Sequence, residues 1–232
     1  MNIFKFISEN GNLSRREAKR LLEDGKLTCN GERCTSKTEL TEGDVLLING
    51  KPLEKKGEPI YLMFNKPIGV TTTAAKHIEG NIIDYIGYPE RVFPIGRLDK
   101  ASQGLILLTN DGQFSNRISH SDYEHEKEYI VTLNKPFTSW FVEQMAQGVQ
   151  LPEVKTKPCV VEAIDSETFR IVLTQGLNRQ IRRMSRALGY TVTSLKRIRI
   201  MSLSLDTLPI GEYRAISEQE LLCLKEELGA HD

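Results

Sequence analysis

Hydrophobic positions recur at helical spacing in the first part of the chain and at strand spacing through much of the remainder. Ile3, Phe4, Phe6 and Ile7 share one helical face, and Gly11 ends that segment. Ser14-Arg15-Arg16-Glu17 has the form of a capping box: the serine side chain can satisfy a free amide while the glutamate reaches back. A helix is predicted over 15–23, with Ala18, Leu21 and Leu22 facing inward and Arg15, Arg16, Lys19 and Arg20 largely on the other side. Gly25 ends it. Lys26-Leu27-Thr28-Cys29-Asn30-Gly31 reads as a short strand closing in an Asn-Gly turn. Glu42-Gly43-Asp44 is a second turn and 45–48 a second strand. From Asn49 to Gly57, turn and breaker residues dominate and little can pack, as in a linker. The pattern therefore divides the chain into a small unit (1–48), a linker (49–58) and a larger domain (59–232).

The larger domain opens with a strand at 60–65, then turns at Lys66-Pro67-Ile68-Gly69. The run Leu105-Ile106-Leu107-Leu108 is apolar throughout, as a buried strand is. Asn110 or Asp111 can cap a helix through Ile118. Residues 126–133 alternate in part, which places Tyr129 on one face with Val131 and Leu133. Thr138 can cap a helix to about Gln147. Strands are predicted at 160–164 and 169–173. A helix follows Gln175-Gly176-Leu177-Asn178-Arg179, with Ile181, Met184 and Leu188 apolar and Gly189 at its end. The fold class is α+β.

Charge changes the picture through its distribution. The 232 residues hold 31 Lys plus Arg and 31 Asp plus Glu, so the net charge does not announce a polyanionic partner. Between Gln175 and Ile200, however, Arg179, Arg182, Arg183, Arg186, Lys196, Arg197 and Arg199 occur with no acid among them, while Glu218, Glu220, Glu226, Glu227 and Asp232 gather in the last helix. A positive face is expected, suited to a nucleic acid whose phosphates supply most of the affinity. The four cysteines form no Cys-x-x-Cys pair, and His120, Asp122 and His125 match no metal-ligand spacing, so no metal is expected. No phosphate-cradling or dinucleotide motif is present, so no cofactor is expected. No apolar run approaches the roughly 20 residues that span a bilayer. The N-terminus lacks a signal-peptide pattern, and a cytoplasmic protein is the expectation.

The candidate chemistry centres on Phe93-Pro94-Ile95-Gly96-Arg97-Leu98-Asp99-Lys100, followed by Ala101-Ser102-Gln103-Gly104 and the apolar run. Glycines bracket a carboxylate flanked by two cations, so a tight loop on a buried strand is predicted. By itself this arrangement fits a local ion pair as well as a catalyst.

Three motifs, taken together, decide between these. Gly96-Arg97-Leu98-Asp99, Lys127-Glu128-Tyr129 and Gly176-Leu177-Asn178-Arg179-Gln180-Ile181-Arg182-Arg183-Met184 resemble, in order, three motifs of the pseudouridine synthases. Ser14-Arg15-Arg16-Glu17-Ala18 through Gly43-Asp44-Val45 resembles an S4 RNA-binding domain, which the branch named after RsuA carries at its N-terminus. The resemblance implies isomerisation of uridine to pseudouridine in structured RNA, with large-subunit ribosomal RNA favoured and small-subunit RNA or a transfer RNA stem-loop as alternatives. It implies a catalytic domain with a mainly antiparallel mixed sheet and flanking helices, a monomer, and no cofactor. Asp99 would be the catalytic aspartate, Tyr129 would stack on the flipped uracil, and Arg182 would pair with Asp99. Arg15, Arg16, Lys19 and Arg20, with Arg97, Lys100, Arg179, Arg183 and Arg186, would meet RNA. Many relatives have histidine where Arg179 stands, so no role carries over from that histidine. A non-catalytic S4 binding protein, or a hydrolase using Asp111 or Glu128 as a second carboxylate, are the rival readings.

Overall fold

The computed structural model describes residues 1–41, 43–75, 77–119 and 124–229. The chain forms two compact units, 1–59 with 111–113, and 60–110 with 114–232.

In the first unit α1 (Ile3–Asn10) and α2 (Arg15–Glu23) precede a small antiparallel sheet. Its strands β1 (Leu27–Cys29), β2 (Glu32–Arg33), β3 (Leu46–Ile48) and β4 (Lys51–Pro52) lie in the order β2-β1-β3-β4. The capping box forms as predicted: Glu17 N–H donates to Ser14 Oγ at 3.1 Å, and Ser14 N–H to Glu17 Oε2 at 2.7 Å. Asn30 and Gly31 take φ of 50° and 87°, the left-handed pair that a two-residue hairpin requires. Ile3, Ile7, Ala18, Leu27, Leu40 and Leu46 form the core. Of the second predicted turn, Glu42 lies outside the described residues, while Asp44 Oδ2 accepts from Thr41 N–H at 2.7 Å.

The stretch 49–58 is not a free linker. Asn49 and Gly50, with φ of 52° and 75°, make a second hairpin turn, which returns the chain as β4 against β3. Pro52 is tolerated because β4 is an edge strand. Leu53 packs against the small core, and Lys56 N–H donates to Asn10 O at 2.8 Å. Residues that read as breakers are thus a hairpin of the first unit.

The second unit is built on one sheet. Its strands are β5 (Tyr61–Lys66), β6 (Phe93–Ile95), β7 (Gln103–Thr109), β8 (Lys127–Leu133), β9 (Val160–Ala163), β10 (Thr168–Leu173), β11 (Val192–Ile200), β12 (Leu203–Ser204) and β13 (Tyr213–Ala215). They run in the order β13-β5-β7-β11-β8-β10-β9, with β6 also on β7 and β12 on β11. The helices are α3 (Ile82–Ile86), α4 (Gly112–Ser119), α5 (Ser139–Gln147), α6 (Gln180–Ala187) and α7 (Glu218–Gly229). Phe64, Ile106, Val131, Leu133 and Ile171 face one core, shared with Phe141 of α5 and Ile181 and Met184 of α6. Met63, Leu105 and Leu107 face the other, shared with Phe114 of α4 and Leu224 of α7. Successive residues of β7 therefore enter different cores, which is why its sequence is apolar without alternation.

Every pairing among the described strands is antiparallel except β7 with β11, which covers only Gln103↔Lys196 and Gly104↔Arg197. Register carries one transverse row through this point: Lys66↔Gly104, Gly104↔Arg197, Arg197↔Tyr129 and Tyr129↔Ile171. Here the first apolar face gives way to polar and charged side chains. Gly104 has φ +112°, and a Cβ added to it would lie 2.2 Å from the Arg197 carbonyl oxygen.

Gly104→Ala should therefore combine backbone strain, about 1–3 kcal/mol, with a clash against the neighbouring strand. At about 2–4 °C per kcal/mol for a domain of this size, the melting temperature should fall by roughly 6 °C or more in a calorimetric scan. An unchanged melting temperature would show that the two strands can separate freely here.

Candidate active site

The hairpin of β6 and β7 presents loop 96–102, opened by Gly96 at φ +67°. Its backbone is held from several elements at once. The Arg97 carbonyl accepts from Arg197 Nη1 at 3.4 Å, and the Leu98 carbonyl from Thr72 Oγ1 at 2.7 Å. The Asp99 carbonyl accepts from Ser102 N–H at 3.0 Å, and the Lys100 carbonyl from Gly69 N–H at 2.8 Å. The Ala101 carbonyl accepts from Arg182 Nη2 at 2.9 Å. Five consecutive carbonyls are therefore satisfied, and Asp99 sits at their centre. The Gly69 turn is itself braced by Lys66, whose Nζ donates to Pro67 O and Val70 O, each at 2.9 Å.

The expected pairing of Arg182 with Asp99 is corrected by the structure. Arg182 spends its donors on Ala101 O, on Ser102 Oγ at 3.2 Å and on Val192 O at 3.1 Å. The guanidinium in contact with Asp99 is that of Arg179, with Nη1 3.7 Å from Oδ2. Arg179 reaches Asp99 from the N-cap of α6, where its backbone is left-handed at φ 47°. Gln180, almost fully buried, fixes the preceding loop by accepting from Leu177 N–H at 3.1 Å and donating to Gln175 Oε1 at 3.2 Å. Burial first, then the neighbouring Arg179, pulls the Arg182 guanidinium below its ordinary value, and Asp99 acts in the opposite direction.

Tyr129 stands on β8 directly across from Arg197, half-buried against the first core. Arg197 is 3% exposed; its Nε donates to Leu105 O at 2.6 Å, filling the fork where β11 leaves β7. Arg197 Nη2 and Arg182 Nε are buried and have no hydrogen-bond partner among the described residues. Burial, and then Arg197, brings Lys66 and Lys127 each down to about 8; for Lys66 the charge of Asp99 opposes this.

These groups surround a cavity of about 540 Å³. Six cationic residues line it: Arg97, Lys100, Lys127, Arg179, Arg182 and Arg197. Asp99 is the single carboxylate among the described lining residues. Glu128 points away from it and is paired with Arg170 Nε and Arg199 Nε, each at 2.6 Å, which hold its carboxyl below the usual range despite burial. Asp111 accepts from Gln113 N–H at 3.0 Å at the start of α4 and does not line the cavity. The structure thus brings Asp99, Tyr129, Arg182, Arg97, Lys100 and Arg179 together.

The continuous positive face expected from 175–200 is interrupted. Arg183 is bound to Glu153, Arg199 to Glu126 and Glu128, and Arg197 is buried. Arg186 remains exposed, as do Arg15, Arg16, Lys19 and Arg20 on α2, where Lys19 lies 3.9 Å from Glu23. His120 and Asp122 lie outside the described residues, and His125 Nε2 is 2.9 Å from the Arg117 carbonyl. Thr72, Lys66 and the wedge formed by Arg197 were not singled out from sequence. Their roles arise from strand register, which becomes visible only once β11 is placed.

Residues 60–187 match the model of the RNA pseudouridylate synthase family, and residues 1–46 that of the S4 domain. The chain is 46% identical over 222 residues to the dual-specificity RNA pseudouridine synthase RluF of Escherichia coli (strain K12), a match covering 95% of this chain and 77% of that protein. It is 36% identical to the ribosomal small subunit pseudouridine synthase A of the same organism, over 95% and 98% of the two chains. A crystal structure of a pseudouridylate synthase superposes with a TM-score of 0.72 at 31% identity, covering 97% of this chain and 99% of that one.

The depressed Lys66 has a consequence for stability. In the folded chain it releases its proton near pH 8, in the unfolded chain near 10.5, so the unfolded state holds more protons between those values. Stability contributed through this group therefore rises with pH across that window. Urea midpoints of the unaltered protein should gain on those of Lys66→Met between about pH 8 and 10. A gap that stays constant would return Lys66 to the behaviour of an exposed lysine.

Proposed function

The chain belongs to the RNA pseudouridylate synthase family, and from that premise we propose that Asp99 is the group through which it converts uridine to pseudouridine in folded RNA. The observation that supports this most directly is a carboxylate, single among the described lining residues and held by its loop, in a cation-lined cavity with an aromatic on the facing strand. The isomerisation breaks the bond from ribose C1′ to uracil N1 and forms one from C1′ to C5. C5 loses a proton, N1 gains one, and no oxidant, reductant or external group donor is consumed. A carboxylate serves this chemistry whether it attacks the sugar, attacks the ring or assists elimination to a glycal. Two-carboxylate hydrolysis needs a second acid about 5–10 Å away. Of the two candidates, Asp111 does not line the cavity and Glu128 is committed to two arginines.

Tyr129 gives the extruded base a stacking surface, worth roughly 1–3 kcal/mol. The target must leave its stack to reach the cavity. Arg97, Lys100, Arg179 and Arg186 meet the phosphates near the target nucleotide, and the α2 quartet gives a separate, sequence-independent contact. The favoured substrate is large-subunit ribosomal RNA. A relative named for dual specificity supports more than one kind of target, with small-subunit ribosomal RNA or a transfer RNA stem-loop as the alternatives. The acting species is a monomer, since one chain carries both the basic helix and the catalytic groups.

Pseudouridine mapping of total RNA from cells with and without the gene should show a small set of sites lost, most of them in ribosomal RNA. Asp99→Asn should bind RNA with about the affinity of the unaltered protein yet restore none of those sites. Restoration by the variant would remove Asp99 from the chemistry. Replacing Arg15, Arg16, Lys19 and Arg20 should weaken RNA binding and flatten the plot of log affinity against log salt, by about 0.7–0.9 in slope for each phosphate no longer neutralised. An unchanged slope would take α2 out of the interface.

A further inference from the structure

We infer that Thr72 is a positioning residue for Asp99, an inference that rests on Asp99 being the catalytic group. The hydroxyl of Thr72 is buried and engages both backbone groups of Leu98: it donates to the Leu98 carbonyl at 2.7 Å and accepts from the Leu98 N–H at 3.4 Å. Leu98 immediately precedes Asp99, and its side chain is anchored in the first core. The peptide planes on both sides of Leu98 are thus set by one hydroxyl that arrives from the segment after β5, not from the hairpin itself. Each of the other contacts to the loop carbonyls acts on one carbonyl only: Arg197 on Arg97, Ser102 on Asp99, Gly69 on Lys100, Arg182 on Ala101. A single donor could hold the Leu98 carbonyl but would leave its N–H turned to no partner. A hydroxyl is the smallest side-chain group that both donates and accepts.

Thr72 lines the same cavity, but its hydroxyl is given to the Leu98 backbone, so its loss should slow chemistry and spare binding. Displacements of about 1 Å from reacting geometry cost on the order of 100-fold in rate. In single-turnover assays at saturating enzyme, on an RNA that the unaltered protein modifies and Asp99→Asn does not, Thr72→Val should react about 10- to 100-fold more slowly. Its RNA dissociation constant should stay within about twofold, as expected for a residue that carries no charge to set against a phosphate. Thr72→Ser, which keeps the hydroxyl, should recover most of the rate. Thr72→Ala, which keeps neither the hydroxyl nor the added methyl, should be as slow as Thr72→Val and carries the test if the valine variant does not fold. A valine or alanine variant as fast as the unaltered protein, a serine variant as slow as valine, or a rate loss matched by weaker RNA binding would each overturn the assignment. Failure of the unaltered protein to modify any RNA would instead strike the functional reading beneath it.

Discussion

The catalytic unit depends on a contact two residues long. Its sheet consists of two antiparallel halves, β13-β5-β7 with β6, and β11-β8-β10-β9 with β12, joined among the described residues by the parallel pairing of Gln103 and Gly104 with Lys196 and Arg197. Parallel neighbours need a long crossover, and here everything from α4 to α6 lies between them in sequence. The chain approaches so closely at Gly104 that no side chain fits. Beyond that point the strands diverge, and the Arg197 side chain enters the fork to satisfy the Leu105 carbonyl that β11 no longer reaches. The candidate site lies at this seam. Asp99 belongs to the first half, Tyr129 to the second, and α6, which delivers Arg179 and Arg182, precedes β11.

Placing cations at the seam has an electrostatic cost that the fold meets in two ways. Lys66 and Arg197 are almost completely buried with no ion pair to a carboxylate among the described residues, and isolated buried charge is strongly disfavoured. Lysine can respond by giving up its proton more readily, and Lys66 does so. Arginine cannot, and instead uses its donors on carbonyls; for Arg197 these are the carbonyls of Leu105 and Arg97. The same guanidinium that fills the fork therefore also fixes the loop of the carboxylate. Its remaining Nη2, together with Arg182 Nε, is buried with no hydrogen-bond partner among the described residues.

Much of this was legible in the sequence because the signals are local. The capping box fixes α2 through groups three residues apart, and the Asn-Gly pair fixes a hairpin through its own dihedral preferences. Gly96 and Gly104 mark the loop by their backbone freedom, and both take positive φ. The three motifs were recognisable as a set. What could not be read was whatever depends on register between distant strands. β11 escaped because its apolar residues, Val192, Leu195 and Ile200, are put out of step by two irregularities, between Val192 and Ser194 and between Arg197 and Arg199. The run 49–58 misled because a hairpin turn and a linker share a composition. Arg197 and Arg199 read in the sequence as part of a positive face, although one is buried and the other neutralised by Glu126 and Glu128.

The exchange of partners between Arg179 and Arg182 follows from the same geometry. A guanidinium has five donors in a planar fork, and Arg182 directs its fork at Ala101, Ser102 and Val192, so it ties α6 to both the Asp99 loop and β11. A residue committed in this way cannot also follow the carboxylate. Arg179 can, because it stands outside the first turn of α6 with a side chain 48% exposed, and its 3.7 Å contact is loose enough to yield to a substrate. Arg179 has a long side chain with a permanent charge, and that length is what lets an N-cap residue reach Asp99 across the cavity. Two arginines three residues apart thus divide the work that one was expected to do: Arg182 fixes where the loop is, and Arg179 balances the charge the loop carries.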